Sequence, residues 1–142
     1  MPHRLVELPL LCQLKPGLHV HEEQALNAEP GLALLDEPIT PIDAFFIRNN
    51  GHLPEIGEEK DWTLTIDGEV ERPTVWTVAG LRQRFETVTV TAVLECAGNG
   101  RSQFSPATDG LQWRLGAVGC ARWTGVRLAD VVEHAGPKPG AV

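Results

Sequence analysis

Proline placement limits this chain before anything else does. Six of its 11 prolines (Pro2, Pro9, Pro16, Pro30, Pro38 and Pro41) fall within the first 44 residues. Each fixes φ and removes an amide donor, so long helices and central strands are excluded there. Residues 1–44 are expected to form an extended segment that gains order only by lying along a larger body.

Regular elements should follow it. Phe45, Phe46 and Ile47 make a short apolar run ending on Arg48. In "DWTLTIDGEV", Trp62, Leu64 and Ile66 alternate with Thr63 and Thr65, the period of a half-buried strand, and Asp67-Gly68 marks its turn. Thr77 can cap a short helix through "VAGLRQRF", its hydroxyl accepting a free amide of the first turn. Val88, Val90, Ala92 and Leu94 fall on one face of a strand and Thr87, Thr89 and Thr91 on the other, with Cys96 continuing the apolar, buried face. Leu128, Val131, Val132 and Ala135 recur at helical spacing, and Gly136-Pro137 is the stop. Strands and short helices in this irregular order lack the alternation of a doubly wound sheet. The expected class is α+β, with irregular mixed β-sheets and short helices. The chain stops at "PKPGAV" without a closing strand, so residues 45–142 are expected to be the N-terminal part of a longer domain.

A length of 142 residues with 42% hydrophobic side chains is enough for one core. The formal charge of -7, from 12 basic and 19 acidic residues, argues against a nucleic acid partner, because backbone binding relies on many Lys and Arg contacts. Any anion must be captured locally. No apolar run approaches the roughly 18 residues of a membrane span. "MPHRLVELPLLCQLKPG" is too broken by proline to read as a signal peptide. A cytoplasmic location is the default expectation, and a periplasmic one follows if a leader has been removed.

The chemistry-bearing stretch is "TVTVTAVLECAGNGRSQF", where a strand ends on a thiol. Cys12, Cys96 and Cys120 are an odd set at wide spacing without a C-x-x-C pair, which disfavours a disulfide framework or structural zinc. Cys96 has three ordinary explanations: a packed core thiol, a nucleophile or a metal ligand. Gly98 and Gly100 allow close backbone approach, so "AGNG" is expected to turn several amides toward one point as an anion-binding nest, and Arg101 adds positive charge. Such surroundings favour the thiolate, the form that attacks or binds metal. A nucleophile needs a base, yet none of His3, His19, His21, His52 and His134 is tied to Cys96 by a local motif. A soft thiolate also suits a transition metal, and with no second ligand nearby in sequence that metal would arrive held by an organic cofactor. Cys120, in the apolar "GAVGCARW" run, and Trp123 both read as packed core residues.

"LECAGNGRS" (94–102), "FFIRNN" (45–50), "GLQW" (110–113) and "ARWTGVRLADVV" (121–132) together resemble the molybdopterin-binding domain of the sulfite oxidase family, with a looser match in "HEEQALNAEP" and "EPITP". The resemblance runs from about His19 onward. It implies that Cys96 is the one protein ligand of molybdenum in a molybdenum–molybdopterin cofactor. It also implies that Arg48 and Arg101 line the oxyanion pocket, that Trp113 is part of its wall, and that Phe46, Arg48, Asn49, Asn50, Cys96, Ala97, Gly98 and Asn99 contact the cofactor. Where the family block reads Arg-Asn-His, this chain has Arg48-Asn49-Asn50 followed by Gly51-His52. It has no tyrosine, so the active-site tyrosine of sulfite-oxidising members is not within these residues.

The implied activity is that of an oxidoreductase transferring an oxygen atom to or from a small oxyanion, sulfite to sulfate first. Sulfoxide reduction on the same scaffold and a non-catalytic truncated module are the alternatives. No haem-attachment C-x-x-C-H is present, so a separate cytochrome-like partner would take the electrons. A homodimer would form through a C-terminal domain absent from this sequence.

Overall fold

The structure, a computed structural model, describes residues 15–23, 25–51 and 58–141. Cys12, His3 and His52 lie outside them. The chain divides into two units, the first of residues 1–56 with 91–122 and the second of residues 57–90 with 123–142.

The first unit starts with an antiparallel pair, β1 (Leu18–Glu22) and β2 (Asn27–Pro30), with a bulge between Val20 and Glu22. This hairpin falls in the proline-rich segment, where no strand is expected from the pattern. Every residue of β2 is buried, including Asn27 and Glu29, and Pro30 takes the strand end, where a missing donor matters least. Ile47 joins β2 through a bridge to Ala28. Leu26 turns the hairpin at φ 46, a left-handed conformation costly for a side chain of that size. The Asn49 amide holds that turn by donating to the carbonyls of Ala25 (2.8 Å) and Leu26 (3.1 Å). The core is Phe46, Trp113 and Ala117, with Phe45, Cys96 and Leu111 packed on it.

In the second unit, β3 (Thr63–Ile66) and β4 (Thr74–Thr77) pair antiparallel, with Leu64 opposite Trp76. Thr77 caps α1 (Val78–Arg84), its Oγ1 accepting from Gly80 N at 3.0 Å. Helix α2 (Leu128–Ala135) buries Val131 and Ala135 and ends on Gly136 at φ 72, whose amide donates to the carbonyls of Val132 and Glu133. The rings of Phe85 and His134 pack edge-on to Trp76. The Thr77 cap and both helices follow the local signals in the sequence, whereas Trp62 and Leu64, expected on the covered face of a half-buried strand, are 53% and 38% exposed.

Strands β5 (Thr87–Glu95) and β6 (Val118–Val126) pair with one another. Here burial departs from expectation. Val90 is 54% exposed and Leu94 50%, although their alternation marks a buried face. A two-stranded ribbon offers no third strand or opposing layer to cover a face. Trp123, expected in the core, is 42% exposed on β6. The mixed strands and short helices are those of an α+β chain.

Candidate functional site

Cys96 follows the last residue of β5 and is half-buried. Its amide donates to Ala117 O at 2.9 Å, so the ladder continues one step beyond the strand and fixes where the thiol begins. The chain then turns at once. Asn99 N returns to Cys96 O (2.8 Å), Arg101 N returns to Gly98 O (3.0 Å), and Gly100 adopts φ 79 before a single 3-10 turn over Arg101–Gln103.

The expected amide nest is not what this turn makes. The amides of Asn99, Gly100 and Arg101 are taken by the carbonyls of Cys96, Arg114 and Gly98. Only Gly98 N turns to the sulfur, at 3.4 Å from Sγ. The loop satisfies its own backbone, as a partly buried turn must. Positive charge near the thiol therefore comes from side chains.

Arg101 is placed by two glycines. A Cβ on Gly98 would lie 3.3 Å from the Arg101 guanidinium carbon and 2.9 Å from Trp113 Cδ1, and one on Gly110 would lie 2.5 Å from Arg101 Nη1. The guanidinium occupies the room those side chains would take, and Nη1 donates to Leu111 O at 3.3 Å. Gly110 also has φ +99, which glycine alone adopts readily. Arg48 donates to the carbonyl of its neighbour Asn49 and lies 3.5 Å from Asn27 Oδ1.

Both arginines and Cys96 line one cavity of about 670 Å³, with Asn49, Asn50, Ala97, Gly98 and Trp113 also in its wall. Two of the residues named from sequence stand elsewhere. Phe46 is in the core, and shares with Cys96 the lining of a second cavity of about 410 Å³. Asn99 braces the loop, donating to Glu95 Oε1 (2.9 Å) and accepting from Ala117 N (3.1 Å). Asn49 lines the cavity, but its amide group is committed to the Leu26 turn.

Asn27 and Glu29 carry no signal in the sequence, and His21 stands there only as one of five histidines untied to Cys96. Asn27 Oδ1 accepts from Asn49 N (2.8 Å), and its amide donates to Glu22 Oε2 (2.7 Å). Glu29 accepts from the amides of Arg114 and Gly116, each at 2.7 Å, and from His21 Nε2 at 2.6 Å. Burial, the largest single influence on Glu29, pushes its carboxyl up. The Arg114 amide, His21 and the Gly116 amide together outweigh it and hold the group below the usual carboxylate range. The available signal was weak: an Asn and a Glu beside a proline read as loop, and nothing in their spacing announces burial.

Among the described residues no three His, Cys, Asp or Glu side chains gather as a metal-binding set. One soft sulfur beside two guanidinium groups, with Glu22 also in the wall of a roomy cavity, fits a metal that brings its own sulfur ligands and an anionic carrier.

Known proteins resemble this chain over most of its length. The family model described as the oxidoreductase molybdopterin binding domain matches residues 50–142. Sulfite oxidase from Gallus gallus is 44% identical over 124 residues, covering 85% of this chain and 27% of that protein. Sulfite oxidase from Arabidopsis thaliana is 36% identical over 124 residues, 85% of this chain and 31% of that protein. The crystal structure of the sulfane dehydrogenase SoxCD from Paracoccus pantotrophus superposes with a TM-score of 0.71 at 31% identity, over 83% of this chain and 30% of that one. This chain thus spans under a third of the length of these relatives. It belongs to the oxidoreductase molybdopterin-binding domain family, whose cofactor is molybdenum carried by molybdopterin.

Proposed function

We propose that this chain supplies the thiolate ligand and part of the oxyanion pocket of a sulfite-oxidising enzyme. The observation that carries the reading is the single cavity onto which Cys96, Arg48 and Arg101 all open. When bound, the cofactor supplies the two-electron oxygen-atom chemistry, and the protein binds, orients and neutralises.

Sulfite gains one oxygen derived from water and becomes sulfate, releasing two protons and two electrons. In this reading Cys96 is the protein ligand of the metal. Arg48 and Arg101 hold the substrate oxyanion, whose charge a guanidinium fork matches in shape as well as sign. Trp113, 1% exposed, is the rigid wall that keeps water from one side. Asn50, in the cavity wall where the family has histidine, offers an amide to the pterin. Ala97 and Gly98 present a smooth backbone to it, and Phe46 supports the thiol from below. Two fixed cations favour an anionic substrate over a neutral sulfoxide. The electrons pass to a separate cytochrome-like acceptor, and the whole protein is a homodimer through a further domain. No helix among the described residues is long and apolar enough to cross a membrane.

The test is molybdenum content after expression in a host that makes molybdopterin, for the whole oxidoreductase carrying Cys96 or Cys96→Ser. The parent should hold near-stoichiometric metal and the serine variant should lose turnover, with sulfur replaced by oxygen in the metal's X-ray absorption. A serine variant with parental activity and spectrum refutes the assignment.

A further inference from the structure

Glu29 is the one charged side chain in the buried set among the described residues, at 1% exposure. An ionised carboxylate so placed costs several kcal/mol unless it is fully bonded. Two of its three bonds lead to one stretch of main chain. Oε1 accepts from Arg114 N and His21 Nε2, and Oε2 accepts from Gly116 N. The carbonyls of the same stretch face the thiol loop: Trp113 O accepts from Ser102 N, Arg114 O from Gly100 N, and Ala117 O from Cys96 N. Residues 113–117 are thus a bar with Glu29 bolted to one edge and the Cys96 loop to the other. His21, 9% exposed in its side chain, secures the carboxylate and lays its ring 4.8 Å from that of Trp113. Neither Glu29 nor His21 lines the Cys96 cavity; both line a separate one of about 780 Å³.

We propose that Glu29 and His21 are positioning residues for the Cys96 site, a buried carboxylate–imidazole pair that fixes residues 113–117 and through them the thiol loop and the Trp113 wall. Its catalytic meaning rests on Cys96 as the metal ligand; the mechanical claim does not. A carboxylate is needed because two amide donors and an imidazole converge on two oxygens. In Glu29→Gln one oxygen becomes an NH₂ group, which leaves Arg114 N or Gly116 N facing a donor at nearly constant volume. His21→Phe keeps a ring against Trp113 and removes the donor to Oε1.

The experiment uses the full 142-residue chain without cofactor, in a Cys12→Ser/Cys120→Ser background that leaves Cys96 the single thiol. It reads the rate of Cys96 with Ellman's reagent, amide hydrogen exchange by peptide, and the ¹⁹F shift of 5-fluorotryptophan at Trp113. In Glu29→Gln, thiol reaction and exchange across 96–102 and 112–117 should accelerate at least about tenfold, equivalent to ~1.4 kcal/mol of lost protection. Exchange in α2 should stay within about twofold of the parent, the scatter of independent sites. His21→Phe should shift the same readouts less, and should move the Trp113 resonance. Unchanged thiol and loop exchange overturns the proposal, as does acceleration spread equally into α2, the mark of a merely structural group. If Glu29→Gln does not fold, His21→Phe decides by the same readings. A Cys96→Ser enzyme with parental turnover and parental X-ray absorption would sink the ligand reading and leave this exchange pattern untouched.

Discussion

Gly116→Ala should damage the first unit severely, and the structure says why. A methyl there would lie 2.2 Å from the Pro30 carbonyl oxygen, more than an ångström short of the 3.4 Å at which ordinary contact begins. The oxygen is main chain and cannot rotate away, and Pro30 is held in register with Leu18. Gly116 is not among the glycines at positive φ, so its own backbone angles suit alanine and the cost is steric alone. Relief requires residue 116 to back away from β2, which breaks its 2.7 Å bond to Glu29 Oε2. Overpacking costs ~1–3 kcal/mol, and a hydrogen bond to a charged group is worth ~1.5–3 kcal/mol. Together they come to about 2.5–6 kcal/mol, the upper figure comparable with the lower end of the ~5–15 kcal/mol that holds a domain folded. Gly125→Ala is the control, because a Cβ on Gly125 meets nothing within 4 Å. That variant should be neutral or more stable by up to ~1 kcal/mol. Urea unfolding followed by tryptophan fluorescence should show the Gly116→Ala midpoint falling by about 1 M or more, given slopes of ~1–3 kcal/mol per M. Equal midpoints for the two variants would refute the close approach of residues 30 and 116 and the tie between Glu29 and Gly116.

Replacing Arg48 or Arg101 by Gln in the whole oxidoreductase should raise KM for sulfite by ~1.5–3 kcal/mol per lost charge-assisted bond, more than a hundredfold at the upper figure, and should weaken sulfate inhibition; steady-state kinetics checks both. Gly110→Ala should reproduce the Arg101→Gln kinetics, because its methyl would fall 2.5 Å from Arg101 Nη1 at φ +99, and normal sulfite affinity would remove Arg101 from the pocket. The Glu29 carboxyl is held below the usual range, so the stability it contributes is complete above that range, near pH 4.3 for a free Glu, and is lost as pH falls through the lower native value. Acid titration of Glu29→Gln should therefore show a weaker fall across that window than the parent, the two curves converging at its acid end.

Helix α1 and its Thr77 cap, helix α2 and its Gly136 stop, and strand β5 were legible because their signals are local: a hydroxyl three residues before an amide, an apolar period, a residue free to adopt positive φ. The β1–β2 hairpin was not. Its buried strand reads Asn-Ala-Glu-Pro, and Glu29 is made tolerable inside by amides 85 and 87 residues away. Of the site, the sequence picked out the thiol, both arginines and Trp113, which line one cavity. It misjudged the turn after Cys96, since glycines disclose that a backbone can bend but not where its amides will point. Arg114 O, 14 residues from Gly100, takes one of those expected to face a ligand.

The separation of 87 residues between Glu29 and Gly116 also sets an order of events. Contacts that close long loops form late, because the entropy of closure must be met before they contribute. During folding, the β3–β4 hairpin and the two helices can form from neighbours in sequence, whereas the thiol loop acquires its final shape only once residues 27–30 have docked on 113–117. With Cys96 as the proposed metal ligand, cofactor capture is then coupled to this long-range closure in the first unit. Conditions that slow this closure would show as delayed metal loading before any change in the spectrum of the loaded protein.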